Sequence, residues 1–69
     1  MKLSARNLLK GKIKSITKGP VSSQVVIEIA PGLQVVSSIT SDGVASMKLK
    51  KGQEAYAIIK ASSVMIGVD

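Results

Sequence analysis

Apolar residues recur with a period of two along most of the chain, and that alternation points to strands, because a strand turns successive side chains to opposite faces. Over Leu8–Thr17, Leu9, Gly11, Ile13, Ser15 and Thr17 share one face; Leu8, Lys10, Lys12, Lys14 and Ile16 share the other. This is a strand with one lysine-rich, solvated face. Lys18-Gly19-Pro20 reads as a turn, since Gly tolerates positive φ and Pro removes a donor. Ser22–Ile29, rich in β-branched residues, is a second strand, Ala30-Pro31-Gly32 the next turn, and Leu33–Thr40 a third strand. Strands two and three read as a hairpin.

Ser41–Met47 breaks the alternation. Thr40 or Ser41 suits a helix N-cap, Asp42 suits the positive end of a helix, and Val44 and Met47 share a face. Asp42-Gly43 equally suits a tight turn. Leu49–Gln53 returns the chain through an exposed turn, Glu54–Lys60 is a fourth strand, Ala61–Ser63 a break, and Val64–Val68 a fifth strand. Five strands with one short helix between the third and fourth is the layout of an all-β, OB-fold-like barrel. An SH3-like barrel is the alternative that pattern alone leaves open.

Size adds a constraint of its own. A chain of 69 residues is one domain or one repeat of something larger, and it reads as a single domain over residues 1–69. Chains of this size bury only about 60% of the surface their unfolded form exposes. With no cysteine, disulfides cannot compensate, and with neither Phe nor Trp and Tyr56 alone, no set of large aromatics fills a core. Association is therefore expected to supply the missing burial, with ligand sites between subunits.

Composition also excludes chemistry. Without His or Cys there is no imidazole base, no thiol nucleophile and no nitrogen- or sulfur-ligated metal site. Glu28, Asp42, Glu54 and Asp69 are scattered and make no paired-carboxylate site. The chain does not read as an enzyme. Its formal charge of +6 favours anionic partners. No stretch approaches the ~20 apolar residues of a membrane span. Met1-Lys2-Leu3-Ser4-Ala5-Arg6 leads into no signal-peptide run, so the default location is the cytoplasm.

Two short segments carry the functional signal. Arg6 is the only arginine beside nine lysines, and its planar fork gives directional donors that lysine lacks. Neither Ser4-Ala5-Arg6-Asn7 nor Lys60-Ala61-Ser62-Ser63 contains an acid, and both fall at strand boundaries, where backbone N–H groups are free of the ladder. Hydroxyls and N–H groups gathered beside a cation suit a small anion. Phosphate keeps a proton part of the time and benefits from an acceptor. A fully deprotonated tetrahedral dianion (sulfate, molybdate or tungstate) wants donors only, and the size of the cavity must then choose among them.

Ser4-Ala5-Arg6-Asn7 with Leu9-Lys10-Gly11, then Val26-Ile27-Glu28-Ile29, Ile39-Thr40, and Ile58-Ile59-Lys60-Ala61-Ser62 with Val64-Met65, resembles the molbindins, small cytoplasmic molybdate-binding proteins. The likeness runs nearly the whole chain, and it is to the free-standing form, with no ATPase or DNA-binding region. It implies an OB-fold subunit in a homohexamer, a trimer of dimers, that holds molybdate or tungstate between subunits without an organic cofactor. Carried over by motif, Ser4 and Arg6 donate side-chain hydrogen bonds and Ala5 its N–H. Lys60, from a neighbouring subunit, adds charge, Ala61 or Ser62 an N–H, and Asn7 orients. The resemblance further implies a second class of site, placed near Gly19, Val21 and Ser22; Pro20, lacking an N–H, is the feature that would alter it.

Two other readings compete. An OB-fold nucleic-acid module fits the charge, with Lys10, Lys12 and Lys14 tracking a backbone, but single-strand binders stack bases on aromatic platforms and this chain offers only Tyr56. A purely structural oligomerisation module would make Arg6 and the serines incidental.

Overall fold

The structure is a computed structural model, and it describes residues 4–69; the leader reading of residues 1–3 lies outside them. Four strands, β1 (Asn7–Thr17), β2 (Ser22–Ala30), β3 (Leu33–Thr40) and β4 (Glu54–Ile59), form one antiparallel sheet in the order β3-β2-β1-β4. A six-residue helix, α1 (Ser41–Ser46), follows β3, and a single 3₁₀ turn (Ala61–Ser63) follows β4. Each expected strand among these four is found to within one residue at either end.

The sheet is curled because β1 serves two partners in turn. Its first half pairs with β4, Asn7 opposite Ile59 through Lys12 opposite Glu54. Its second half pairs with β2, Lys12 opposite Glu28 through Thr17 opposite Gln24. Gly11 stands at the changeover, where a Cβ would come within 2.4 Å of the Glu28 carbonyl oxygen. Only glycine permits the two strands to approach so closely.

A bulge corrects the simple two-face reading of β1. Ile13 pairs with Ile27 and Ser15 with Val26, so Lys14 is the extra residue. An inserted residue reverses the inward–outward alternation beyond it. Ile13, 2% exposed, and Ile16 consequently both pack towards the core, although an unbroken strand would set Ile16 among the lysines.

The core is small: Ile13, Val25, Ile27, Val44 and Ala57 are buried, with Ile39 and Leu49 packed against them. α1 contributes Val44 and closes one end of the curl. Of the two N-cap residues expected, Thr40 serves; its Oγ1 accepts from the Gly43 N–H at 3.0 Å. Asp42 lies in the first turn, as expected from its charge.

The expected fifth strand over Val64–Val68 is not formed. Those residues have no regular secondary structure, and Met65, Ile66 and Val68 are each more than 90% exposed. A strand exists by pairing, and among the described residues this segment joins no ladder. Both edges of the sheet, β3 and β4, stay open, so the four strands form a curled sheet rather than a closed barrel. No helix among the described residues is long and apolar enough to cross a membrane.

Candidate functional site

The β1–β4 register decides where the two acid-free segments lie. Asn7, the first residue of β1, is opposite Ile59, the last of β4. Ser4-Ala5-Arg6 therefore enters the sheet at the end where Lys60-Ala61-Ser62 leaves it. Segments more than fifty positions apart in sequence are brought to one end of one ladder, within a single chain. Asn7 spends its side-chain amide there: Nδ2 donates to the Ile59 carbonyl at 3.2 Å. That bond ties the first residue of β1 to the last of β4.

Among the described residues the Ser4, Arg6, Lys60 and Ser62 side chains make no hydrogen bond. Ser4, Arg6, Lys60, Ala61 and Ser62 are exposed and Ala5 is half-buried. In the 3₁₀ turn the Ser63 N–H donates to the Lys60 carbonyl at 2.8 Å and the Val64 N–H to Ala61 at 3.3 Å. The N–H groups of Ala61 and Ser62 precede the first such bond and have no partner within the turn. Among the described residues neither Arg6 nor Lys60 is in an ion pair.

Two of the four side-chain carboxylates pair with lysines of β1. Glu54, at the opposite end of β4, lies 3.4 Å from Lys10 Nζ, and Glu28 lies 3.6 Å from Lys14 Nζ. Lys12 stands opposite both acids in the two registers. The lysine face of β1 is thus interleaved with negative charge, which weakens it as a track for a nucleic-acid backbone. A cleft of about 470 Å³, lined by Ile13, Val25, Ile27, Ile39, Leu49 and Ile58 among others, is apolar and includes none of the anion motifs. Among the described residues no cluster of acids could hold a metal ion.

Gly19 and Val21 lie at the other end of β1, in the connection to β2, and Ser22 is the first residue of β2. Here the structure shows a network that the sequence reading missed. Ser41 Oγ bonds the Gly19 carbonyl at 2.6 Å and Ser23 Oγ at 2.7 Å, while the Ser41 N–H donates to the Val21 carbonyl at 2.8 Å. The signal was present in the alternation: Ser23 occupies the inward face of β2 in line with Val25 and Ile27, where a polar residue requires a buried partner.

With this geometry established, known proteins offer a comparison. The TOBE domain, as a family, matches residues 3–66. A Haemophilus influenzae protein described as a "Probable molybdenum-pterin-binding protein" is 51% identical over 69 residues, the full length of both chains. The apo structure of MopII from Clostridium pasteurianum superposes with a TM-score of 0.90 at 43% identity, covering 97% of this chain and all of that one. A structure of the cytoplasmic molybdate-binding protein ModG with molybdate bound gives 0.94 at 42% identity; the present chain is covered completely and spans 49% of ModG.

Proposed function

Because the chain belongs to the TOBE-domain family and is of the small molbindin type, we propose that it binds molybdate, and tungstate by the same chemistry, without making or breaking a bond. The observation that carries this reading is the register of Asn7 against Ile59, which sets two acid-free donor segments side by side. Ser4, Arg6 and Ser62 offer side-chain donors, Ala5, Ala61 and Ser62 offer backbone N–H groups, and Lys60 adds charge. Charge-assisted hydrogen bonds from a guanidinium and an ammonium are about twice as strong as neutral ones, so they replace much of the hydration lost by a dianion. A donor-only shell suits MoO₄²⁻, which has no proton to give at neutral pH.

The site is completed in an assembly. An exposed set of donors cannot exclude water by itself, and the chain presents Leu8, Val36, Ile58, Met65, Ile66 and Val68 to solvent. So much exposed apolar surface on a small body marks an interaction face. Two open edges and an extended apolar tail support closure of the OB-like barrel between copies, in a homohexamer built as a trimer of dimers, with oxyanions at the subunit interfaces. The role that follows is intracellular storage and homeostasis of the oxyanion, in the cytoplasm.

Isothermal titration with molybdate, tungstate, sulfate and phosphate tests the reading. Strong heats are expected with the first two only. No heat with molybdate, or equal binding of sulfate, refutes it. A salt-dependent shift with short oligonucleotides, unaffected by Arg6→Ala, would favour the nucleic-acid alternative instead.

A further inference from the structure

Three residues among those described have positive φ: Gly32 at 79°, Gly52 at 87° and Lys48 at 53°. Glycine takes that region freely, whereas a side chain there crowds its own backbone. Lys48 is placed there by the way α1 ends. The Lys48 N–H donates to the Ala45 carbonyl at 3.1 Å and the Leu49 N–H to the Val44 carbonyl at 3.1 Å. Leu49 packs against the core that holds Val44. These are the two bonds and the apolar contact of a Schellman turn, and the residue just past its cap, here Lys48 after Met47, is usually glycine. The chain supplies a lysine instead and carries the strain.

Backbone strain of this kind collects at ligand-binding places. The surroundings of Lys48 fit that use. Residues 43–53 include no acid, and Lys48, Lys50 and Lys51 are all exposed. Among the described residues none of the three is in an ion pair; the two pairs found involve Lys10 and Lys14. The turn is also held firmly. The Gly52 N–H donates to the Ile13 carbonyl at 2.8 Å, and the Ile13 N–H to the Gln53 carbonyl at 2.9 Å. Gln53 Oε1 accepts from the Lys50 N–H at 3.0 Å. Ile13 is 2% exposed, so the far end of the turn is anchored in the core. A backbone already fixed loses little freedom when a partner binds. Met47, 54% exposed, sets an adaptable apolar side chain beside the three charges.

We propose that residues 47–51 are a docking surface for a protein partner, one that offers an acidic segment with an apolar side chain among its carboxylates. Other polyanions fit less well. Single strands stack on aromatics, and residues 41–53 contain none. A duplex admits a helix to its major groove, and α1 is only six residues long. Anionic bilayers are held by clusters of about four to eight basic residues, more than this turn carries. A short acidic segment needs only a few ammonium groups on a fixed frame, and it gains an apolar contact at Met47. The surface stands apart from the oxyanion reading, because it shares no residue with the segments 4–7 and 60–62.

The test is fluorescence anisotropy of the full chain with a labelled oligoglutamate peptide carrying one central leucine, at physiological ionic strength, with circular dichroism as the control for folding. The natural chain is expected to bind this peptide, and to bind duplex or single-stranded oligonucleotides and phosphatidylserine vesicles more weakly. Lys48→Gly, Lys50→Gln and Lys51→Gln together should weaken peptide binding about tenfold or more. Lys10→Gln, Lys12→Gln and Lys14→Gln together remove the same charge and should stay within about threefold, because Lys10 and Lys14 already have carboxylate partners. Lys48→Gly alone should weaken binding while leaving the melting temperature unchanged or higher, an opposition that a merely structural lysine would not show. No binding of the peptide, tighter binding of nucleic acid or vesicles, or equal losses in the two triple variants overturns the proposal. So does a lower melting temperature for Lys48→Gly, which would mean that the side chain is held within the chain. Should either triple variant fail to fold, Lys50→Gln against Lys12→Gln decides: a larger loss at Lys50 supports the surface, and an equal or smaller one overturns it.

Discussion

The two segments that the sequence suggests for oxyanions lie at opposite ends of β1 and are held in opposite ways. Gly19–Ser22 is fastened to α1 by two hydrogen bonds from Ser41, itself steadied by Ser23. Beside Ser4–Arg6 and Lys60–Ser62 the Asn7 side chain donates to the Ile59 carbonyl, and of these residues all but the half-buried Ala5 are exposed. The first set is organised by the fold of a single chain. The second is brought together by strand register and left to be enclosed by something else. A small fold with five buried core residues among those described can rigidify one such end from within, and on the proposed reading association does the rest.

The sharpest way to break this contrast is to remove what association uses. Deleting residues 64–69 takes away Met65, Ile66 and Val68 and touches nothing in the buried core. The expected outcome by size-exclusion chromatography with light scattering is a fall from a multi-chain particle towards the 7.2 kDa single chain. Molybdate binding by the Arg6 set should fall with it, by a hundredfold or more. An intact particle with normal binding would show that the tail closes nothing.

Next in size is the loss of the arginine fork. A hydrogen bond to a charged group is worth about 1.5–3 kcal/mol, or roughly one to two orders of magnitude in affinity. Arg6→Ala should therefore weaken molybdate binding about ten- to a hundredfold in a calorimetric titration, and Arg6→Lys should recover only part of that, because charge without the planar fork is not equivalent. Lys10→Ala should stay within about twofold, since Lys10 faces Glu54 at the other end of β4. Comparable losses for Arg6 and Lys10 would mean that the general field of the protein, not the motif, attracts the ion.

The end fastened from within is probed by stability more than by affinity. Ser23→Ala removes a donor and leaves Ser41 Oγ one acceptor function unfilled in a half-buried place. The expected cost is about 1–2 kcal/mol, seen in urea unfolding as a lower midpoint with an unchanged slope. A neutral result would mean that the Ser23–Ser41 contact is replaced by water without penalty, and the loop is then less firmly held than its geometry indicates.

These differences trace to what a one-dimensional pattern can carry. The four paired strands were legible because alternation, β-branching and the Gly and Pro turns at 19–20 and 31–32 all agree on them. The helix was legible from Thr40 and Asp42. The bulge at Lys14 was not, because a single inserted residue leaves no mark in composition, and it carried Ile16 across from the lysine face to the core. Val64–Val68 has strand composition, but pairing depends on a partner, and no ladder among the described residues takes it in. At the candidate site, the acid-free character of the two segments was readable in the sequence. Their convergence required the register of Asn7 against Ile59, and the Ser23–Ser41–Gly19 chain required knowledge of which face of β2 points inward.

The smallest expected effect concerns the lysines that the charge balance makes conspicuous. Lys10 and Glu54 sit 3.4 Å apart with both side chains more than half exposed. Exposed pairs of this kind contribute about 0–1 kcal/mol, because water screens the attraction and two long side chains must be held in place. Glu54→Gln should therefore leave the unfolding midpoint within about a degree or two and the molybdate titration unchanged. What it should change is the response to polyanions: removing an acid from the face shared by Lys10, Lys12 and Lys14 raises the local positive potential, so weak retention on heparin should move to slightly higher salt. If Glu54→Gln instead alters molybdate binding, the two ends of β4 are coupled. The division between the end of β4 that carries Glu54 and the end proposed for the oxyanion would then have to be redrawn.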